Sequence, residues 1–144
     1  MKKKFYLFLL IMVLALIHHP GAEAQDASMV LGKDHVLHDN FHDFAFTRVQ
    51  MINSNYMHTP ENMLVEPLGS RYVARYQSVD PSSITVQVKK TDSDQTPFIG
   101  VMRYIESVHE SSGQCRVSVL DGPFHPVQRR RITEIFRYVQ NGWQ

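Results

Sequence analysis

The sequence predicts an α+β domain in which one amphipathic helix packs on a curved antiparallel meander of about five strands. Apolar residues with a period of 3.6 positions indicate a helix near residues 41–53, and apolar and polar residues alternate with a period of two from residue 71 onward. Clusters of turn-forming residues separate the alternating stretches. The chain has 144 residues, of which 43% are hydrophobic and 20% charged, so it has the size and composition of a single globular domain.

The first 24 residues have the features of a secretory signal peptide. Three lysines follow Met1, thirteen apolar residues occupy 5–17, and the sequence Ala-Glu-Ala ends the stretch at 22–24. Thirteen helical residues span about 20 Å, which is less than the roughly 30 Å hydrocarbon core of a bilayer. We therefore expect cleavage, with an uncleaved anchor as the alternative. This predicts a bacterial protein of the periplasm or the cell exterior, with a single domain over 25–144 and no transmembrane span after cleavage.

The predicted mature chain is close to neutral. Loss of Lys2, Lys3, Lys4 and Glu23 with the signal peptide changes its formal charge from +1 to −1. A near-neutral charge argues against nucleic acid as the main partner. We expect an unidentified protein or a small ligand instead, and the oligomeric state is left open.

Cys115 is the single cysteine, which excludes an internal disulfide framework. A strand predicted over 115–120 places its side chain on the same face as Val117 and Val119. This parity predicts a buried, unreactive thiol. The alternatives are a reactive nucleophile and an intermolecular disulfide in an oxidising compartment.

The predicted helix has one apolar stripe, formed by Phe41, Phe44, Ala45, Val49 and Ile52. Asn40 is the expected N-cap, and the polar residues 53–55 are the expected end. Because the stripe must be buried, we expect the helix to cover one face of a sheet built from residues 71–140. Truncation of Phe44 should then destabilise the domain more than truncation of Phe46, which lies off the stripe.

Turn signals divide the second half of the chain into five predicted strands, near residues 71–76, 84–89, 98–109, 115–120 and 130–140. Short connections make successive strands neighbours, as in a meander. Asn141-Gly142 is a hairpin signal, but the following strand is predicted to be only a stub. A helix on a curved sheet resembles the cystatin-like and NTF2-like folds in layout, although no motif assigns a role to any residue.

His35, His38 and His42 form the candidate metal site. Spacings of three and four place the three imidazoles on one side of a helix, at the edge of its apolar face. Neutral imidazoles in such a row bind zinc or copper, and Asp34, Asp39 or Asp43 is expected to orient them. The alternative is a hydrophilic segment without a ligand, and no other cofactor is predicted.

Arg129, Arg130 and Arg131 form a compact basic run. Guanidinium groups suit the recognition of phosphate or carboxylate, whereas charged residues on a strand also protect a solvated sheet edge. Aromatic residues recur on most predicted strands and are interpreted as core in preference to a ligand pocket; they are Tyr72, Tyr76, Tyr104, Phe136 and Tyr138.

No catalytic residue is predicted. The chain lacks the G-x-S-x-G and phosphate-loop motifs, and Gly113 stands where a zinc-protease motif beginning at His109-Glu110 needs its second histidine. The predicted function is therefore a small, exported, non-catalytic binding or interaction domain. Two alternatives remain: a small enzyme with acid and base groups in a pocket, and a histidine-based metal-handling protein.

Overall fold

The computed structural model describes residues 29–144, so the predicted signal peptide lies outside the described residues. This part of the chain forms an antiparallel sheet that is not closed into a barrel, and one α-helix, which confirms the predicted α+β class. The sheet has seven strands in place of about five, and two of them are only two residues long. The elements are β1 (Met29–Val30), α1 (Val36–Asn55), β2 (Leu64–Leu68), β3 (Arg71–Val79), a 3-10 turn (Pro81–Ser83), β4 (Thr85–Lys90), β5 (Phe98–Gly113), β6 (His125–Val139) and β7 (Gly142–Trp143).

Helix α1 begins earlier than the sequence pattern predicts, because its cap is His35 and not Asn40. Nδ1 of His35 accepts a hydrogen bond from the backbone N–H of Leu37 at 3.2 Å, which satisfies one of the free donors at the helix start. The side chain of Asn40 instead accepts a hydrogen bond from the indole N–H of Trp143 at 2.9 Å. None of the helices in residues 29–144 is long and apolar enough to cross a membrane.

The core lies between α1 and the sheet. Phe41, Ala45 and Val49 are fully buried, and they form one cluster with residues of the sheet: Val79, Val88, Met102, Tyr104 and Trp143. Phe44 is only partly buried at the margin of this cluster. The lack of a side chain at Gly100 allows α1 to pack closely against β5, because a Cβ atom there would lie 2.4–2.7 Å from three ring atoms of Phe41. The ring of Phe41 therefore rests directly on the backbone of β5.

Strand β5 organises the sheet because it is longer than any strand that pairs with it. One of its edges pairs with β6, and the other pairs with β4 over 98–103 and with β3 over 106–113. Strands β3 and β4 thus lie end to end and do not pair, so the predicted meander is wrong at this connection. In the gap between them, the hydroxyl of Ser83 accepts a hydrogen bond from the backbone N–H of Ile105 at 3.0 Å.

The strand predicted over 115–120 does not form. β5 ends at Gly113, and the turns that follow fold back on the strand. Val119 is fully buried there, and a Cβ atom at Gly113 would lie 3.1 Å from its side chain. Cys115 is exposed, and Val117 is 70% exposed. The prediction of a buried thiol is therefore wrong, because strand parity does not apply where the chain turns.

The C-terminal hairpin completes the core. Its turn is at Gln140 and Asn141, which have φ angles of 51° and 62°, one residue before the predicted Asn-Gly position. β7 is short, as predicted, but its Trp143 is only 8% exposed, and its ring centroid lies 4.4 Å from that of Phe41. Two residues of strand thus place a large aromatic side chain in the core.

Truncation of Phe41 should be among the most damaging single changes in the helix. Phe41→Ala removes a fully buried ring that nothing else can replace, so it is expected to lower the free energy of unfolding by about 3–5 kcal/mol. The matched control is Phe46→Ala, at a side chain that is 43% exposed, with an expected loss under about 1 kcal/mol. Urea unfolding measures both. Equal losses would contradict the packing of α1 on the sheet.

Candidate functional site

The charged side chains of the sheet are separated between its two faces. Val88, Met102 and Tyr104 pack in the core with α1, and alternation along the paired strands assigns the other strand residues to the same or the opposite side. All carboxylates of the strands in residues 29–144 lie on the helix-covered side; they are Glu66, Glu106, Glu110 and Glu134. The opposite side, here termed the open face, carries only cations among its charged strand residues: Lys89, Arg103, Arg129, Arg131 and Arg137.

The arginines of the open face are interleaved with aliphatic side chains. Arg131 lies opposite Ile105, and Arg129 lies opposite Ser107 on the neighbouring strand. Side chains directly opposite each other in an antiparallel pair have Cβ atoms about 4.5–5.5 Å apart. Ile105 is 37% exposed, and Ile135 is 67% exposed. The open face therefore offers guanidinium donors and apolar contact area side by side.

A cavity of about 250 Å³ opens on this face near the middle of β5, beside the gap between β3 and β4. Its lining consists of Ser78, Asp80, Ser83, Ile105, Ser107, His109 and Arg129. Tyr76 stacks on the imidazole of His109 with ring centroids 4.8 Å apart and fixes its orientation. Burial, and then the positive charge of Arg129, lower the pKa of His109, so this imidazole is neutral at pH 7.

Asp80 gives the same cavity a negative charge. Its carboxylate accepts hydrogen bonds from the backbone N–H and the hydroxyl of Ser82, at 2.9 and 2.6 Å. The hydroxyl bond, and then the backbone bond, lower the pKa of Asp80. A carboxylate that stays ionised repels an anion inside the cavity. The favourable place for an anion is consequently along the row of arginines on β6, away from Asp80.

A second polar cluster lies between α1 and the helix-covered side of the sheet. Glu106 is only 9% exposed, and its carboxylate accepts hydrogen bonds from the hydroxyl of Tyr56 at 2.7 Å and from Nε of Arg130 at 2.8 Å. Both oxygens of this buried carboxylate thus have a partner, which a buried charge requires.

Glu134 repeats this arrangement about two turns of the helix away. It accepts a hydrogen bond from the hydroxyl of Tyr104 at 2.7 Å and forms an ion pair with Arg48 at 3.3 Å. Each group of three therefore joins the helix to the strands, through Tyr56, the C-cap of α1, in one case and through Arg48 in the other. Because the partners satisfy one another, we assign this cluster to the joining of helix and sheet.

The sequence pattern did not reveal this cluster. Tyr104 was interpreted as core, and its ring is indeed 5% exposed in the core, but its hydroxyl has a separate role. The sequence does contain one indication of it, because alternation along a strand places Glu106, Arg130 and Glu134 on the same side as core residues of their strands. Parity alone does not show which charges meet across the helix–sheet interface.

The two phenols that donate to carboxylates, Tyr56 and Tyr104, predict an alkaline limit to stability. Burial, and then the hydrogen bond to a carboxylate, raise the pKa of Tyr56 and of Tyr104 above the ordinary value of 10.0. Both phenols stay protonated in the folded chain above pH 10, where tyrosines of the unfolded chain ionise. The free energy of unfolding should therefore fall as the pH rises above 10.

Urea unfolding at pH values from 9 to 11 measures this fall. The double variant Tyr56→Phe and Tyr104→Phe is expected to fall less steeply over this range than the unchanged chain, because two of the shifted groups are absent. An identical slope for the two proteins would contradict the assignment.

The three predicted metal ligands have different environments. Nδ1 of His35 caps the helix, His38 lines a cavity with Lys33 and Arg103, and Nδ1 of His42 lies 4.0 Å from the carboxylate of Asp43 at the surface. In residues 29–144 there is no group of three or more His, Cys, Asp or Glu side chains arranged to hold a metal ion. Zinc or copper binding at these histidines stays a prediction.

Exposure of Cys115 has a direct chemical consequence. The hydroxyl of Ser118, followed by its backbone N–H, lowers the pKa of the Cys115 thiol, and a larger thiolate fraction increases nucleophilicity. We expect a maleimide or disulfide reagent to label Cys115 in the native protein nearly as fast as in urea. Labelling only after unfolding would show that the turn over 114–124 is packed differently.

Comparisons of the chain with protein-family models, with curated proteins and with solved structures found no match.

Proposed function

We propose that this chain is a small non-catalytic binding domain that recognises an anionic protein partner with its open face. The observation that carries the proposal is the separation of charge across the sheet. Among the strand residues of the described range, the open face has five cations and no carboxylate, whereas the helix-covered side has all four carboxylates.

The physical basis is a local positive field on a chain that is nearly neutral overall. Arginine remains charged at all relevant pH values, and its planar group forms paired hydrogen bonds with carboxylates. Exposed Ile105 and Ile135 lie between the arginines, and mixed apolar and arginine-rich surfaces are typical of protein interfaces. The small formal charge of the whole chain supports a local acidic surface, and not nucleic acid, as the partner.

Export from a bacterial cell belongs to the same proposal. It is supported by the basic start, the short apolar segment and the Ala-Glu-Ala sequence over residues 1–24. The binding domain then comprises residues 25–144 and functions in the periplasm or outside the cell. A cystatin-like or NTF2-like layout, with α1 on the concave side of the sheet, is the fold we propose for it.

Charge reversal on the open face tests the proposal. Poly-L-glutamate serves as the acidic probe, and its binding is followed by fluorescence anisotropy at low salt and at 0.15 M salt. Arg131→Glu is expected to weaken binding at least about fivefold relative to the control Arg71→Glu, since one favourable contact of about 1 kcal/mol corresponds to roughly that factor.

Arg71 is an appropriate control because it is also exposed and lies on a strand, but on the helix-covered side of the sheet. Both substitutions change the net charge equally. Equal weakening by the two variants would mean that overall charge, and not the open face, drives binding. Absence of binding by the unchanged chain would refute the proposal.

The cavity provides the observation in favour of an enzyme as the second candidate. A neutral His109 lies there with the hydroxyls of Ser78, Ser83 and Ser107, which are groups that take part in acid–base chemistry. No carboxylate of residues 29–144 accepts a hydrogen bond from His109, and such a carboxylate is what orients a catalytic histidine. Binding is therefore the function that the geometry supports better.

A further inference from the structure

We propose that β6 receives an extended acidic segment of the partner as an additional strand of the sheet. This inference rests on the proposed function, and it specifies both the form of the partner and the way it is held. Three features of β6 lead to it: an edge without a neighbouring strand, backbone groups that point outward along this edge, and the arginines of the open face at the same residues.

Most of one edge of β6 is unpaired in the described part of the chain. β6 runs from His125 to Val139 and pairs with β5 along one side. On its other side it pairs only with β7, through Tyr138 and Val139. An edge strand of this length presents a row of backbone donors and acceptors to which another strand can bind.

The hydrogen bonds of the C-terminal hairpin show which residues supply these groups. The backbone N–H of Arg137 donates to the carbonyl of Gln144 at 2.8 Å, so the backbone groups of Arg137 point away from β5. In an antiparallel pair the inward and outward residues alternate. The backbone groups of Arg129, Arg131, Thr133 and Ile135 therefore also point outward.

These outward residues are the ones whose side chains lie on the open face. A strand added along the edge would place its own open-face side chains about 4.5–5.5 Å from Arg129 and Arg131. Carboxylates at alternate positions of the added strand match this spacing. On the opposite side the added strand would meet Ile132, which is partly buried and favours apolar residues at the intervening positions.

A second copy of β6 is a poorer occupant of the edge. Antiparallel pairing about Ile132 would set Arg131 of each copy beside Thr133 of the other, and Arg129 beside Ile135, so no arginine of the open face would have a carboxylate opposite it. An acidic strand would place a carboxylate beside these arginines, and opposite charges on neighbouring strands stabilise pairing. An acidic strand is therefore the better match for this edge.

A synthetic peptide with alternating acidic residues tests the inference. The probe is Thr-Asp-Val-Asp-Val-Asp-Thr with blocked ends, and the matched control has the same composition in the order Asp-Asp-Asp-Val-Val-Thr-Thr. We expect the alternating peptide to bind more tightly than the control. Hydrogen exchange should slow at the amides of Arg131 and Ile135 when the peptide binds, because these outward groups become hydrogen bonded.

Thr133→Pro is the decisive variant. It removes one outward N–H and leaves the pairing of β6 with β5 intact, since proline is tolerated on an edge strand where its nitrogen faces solvent. We expect it to bind the alternating peptide about tenfold more weakly than Thr133→Ala, because it lacks a donor that strand addition needs. Its binding of poly-L-glutamate should be unchanged, and thermal unfolding of both variants shows whether the fold is retained.

The outcomes separate the two proposals. Failure of poly-L-glutamate to bind the unchanged chain overturns both. Normal poly-L-glutamate binding, together with equal affinities for the two peptides, or with no effect of Thr133→Pro in a folded protein, overturns strand addition alone. In that case the arginines of β6 bind acidic groups by charge and otherwise protect the edge from pairing.

Discussion

The contact between the ring of Phe41 and the backbone of Gly100 is the constraint on which the structure depends. It brings α1 against the middle of β5, which is the strand that holds β3, β4 and β6 together. A side chain at position 100 would prevent this approach. Once the ring is in place, Trp143 packs against it from the C-terminal hairpin, so the helix and the end of the chain enclose the same core.

The helix covers one side of the sheet, and this determines where each charge can go. On the covered side a carboxylate loses water and must find partners, and Glu106 and Glu134 find them in a tyrosine and an arginine each. On the opposite side the arginines of β6 lie at exposed positions, where water solvates their charges. The same fold therefore has a closed polar network on one side and a row of exposed arginines on the other.

Our proposal of recognition in preference to catalysis rests on this arrangement. The cavity beside His109 has hydroxyls and an imidazole, but the carboxylate that it contains, Asp80, is engaged by Ser82. In contrast, the open face and the outer edge of β6 combine outward-pointing backbone groups, positive charge and apolar area over several residues. In the function we propose, the domain selects its partner by strand geometry and by charge together, and each of the two can be altered without the other.

Local pattern in the sequence was sufficient for the α+β class and for the stripe containing Phe41. These features depend on periods of 3.6 and two residues, which any stretch of chain carries by itself. The local pattern did not predict that β3 and β4 share one edge of β5, that Cys115 is exposed or that His35 caps the helix. Those outcomes depend on contacts between residues far apart in the chain, and only the tertiary structure decides which of them form.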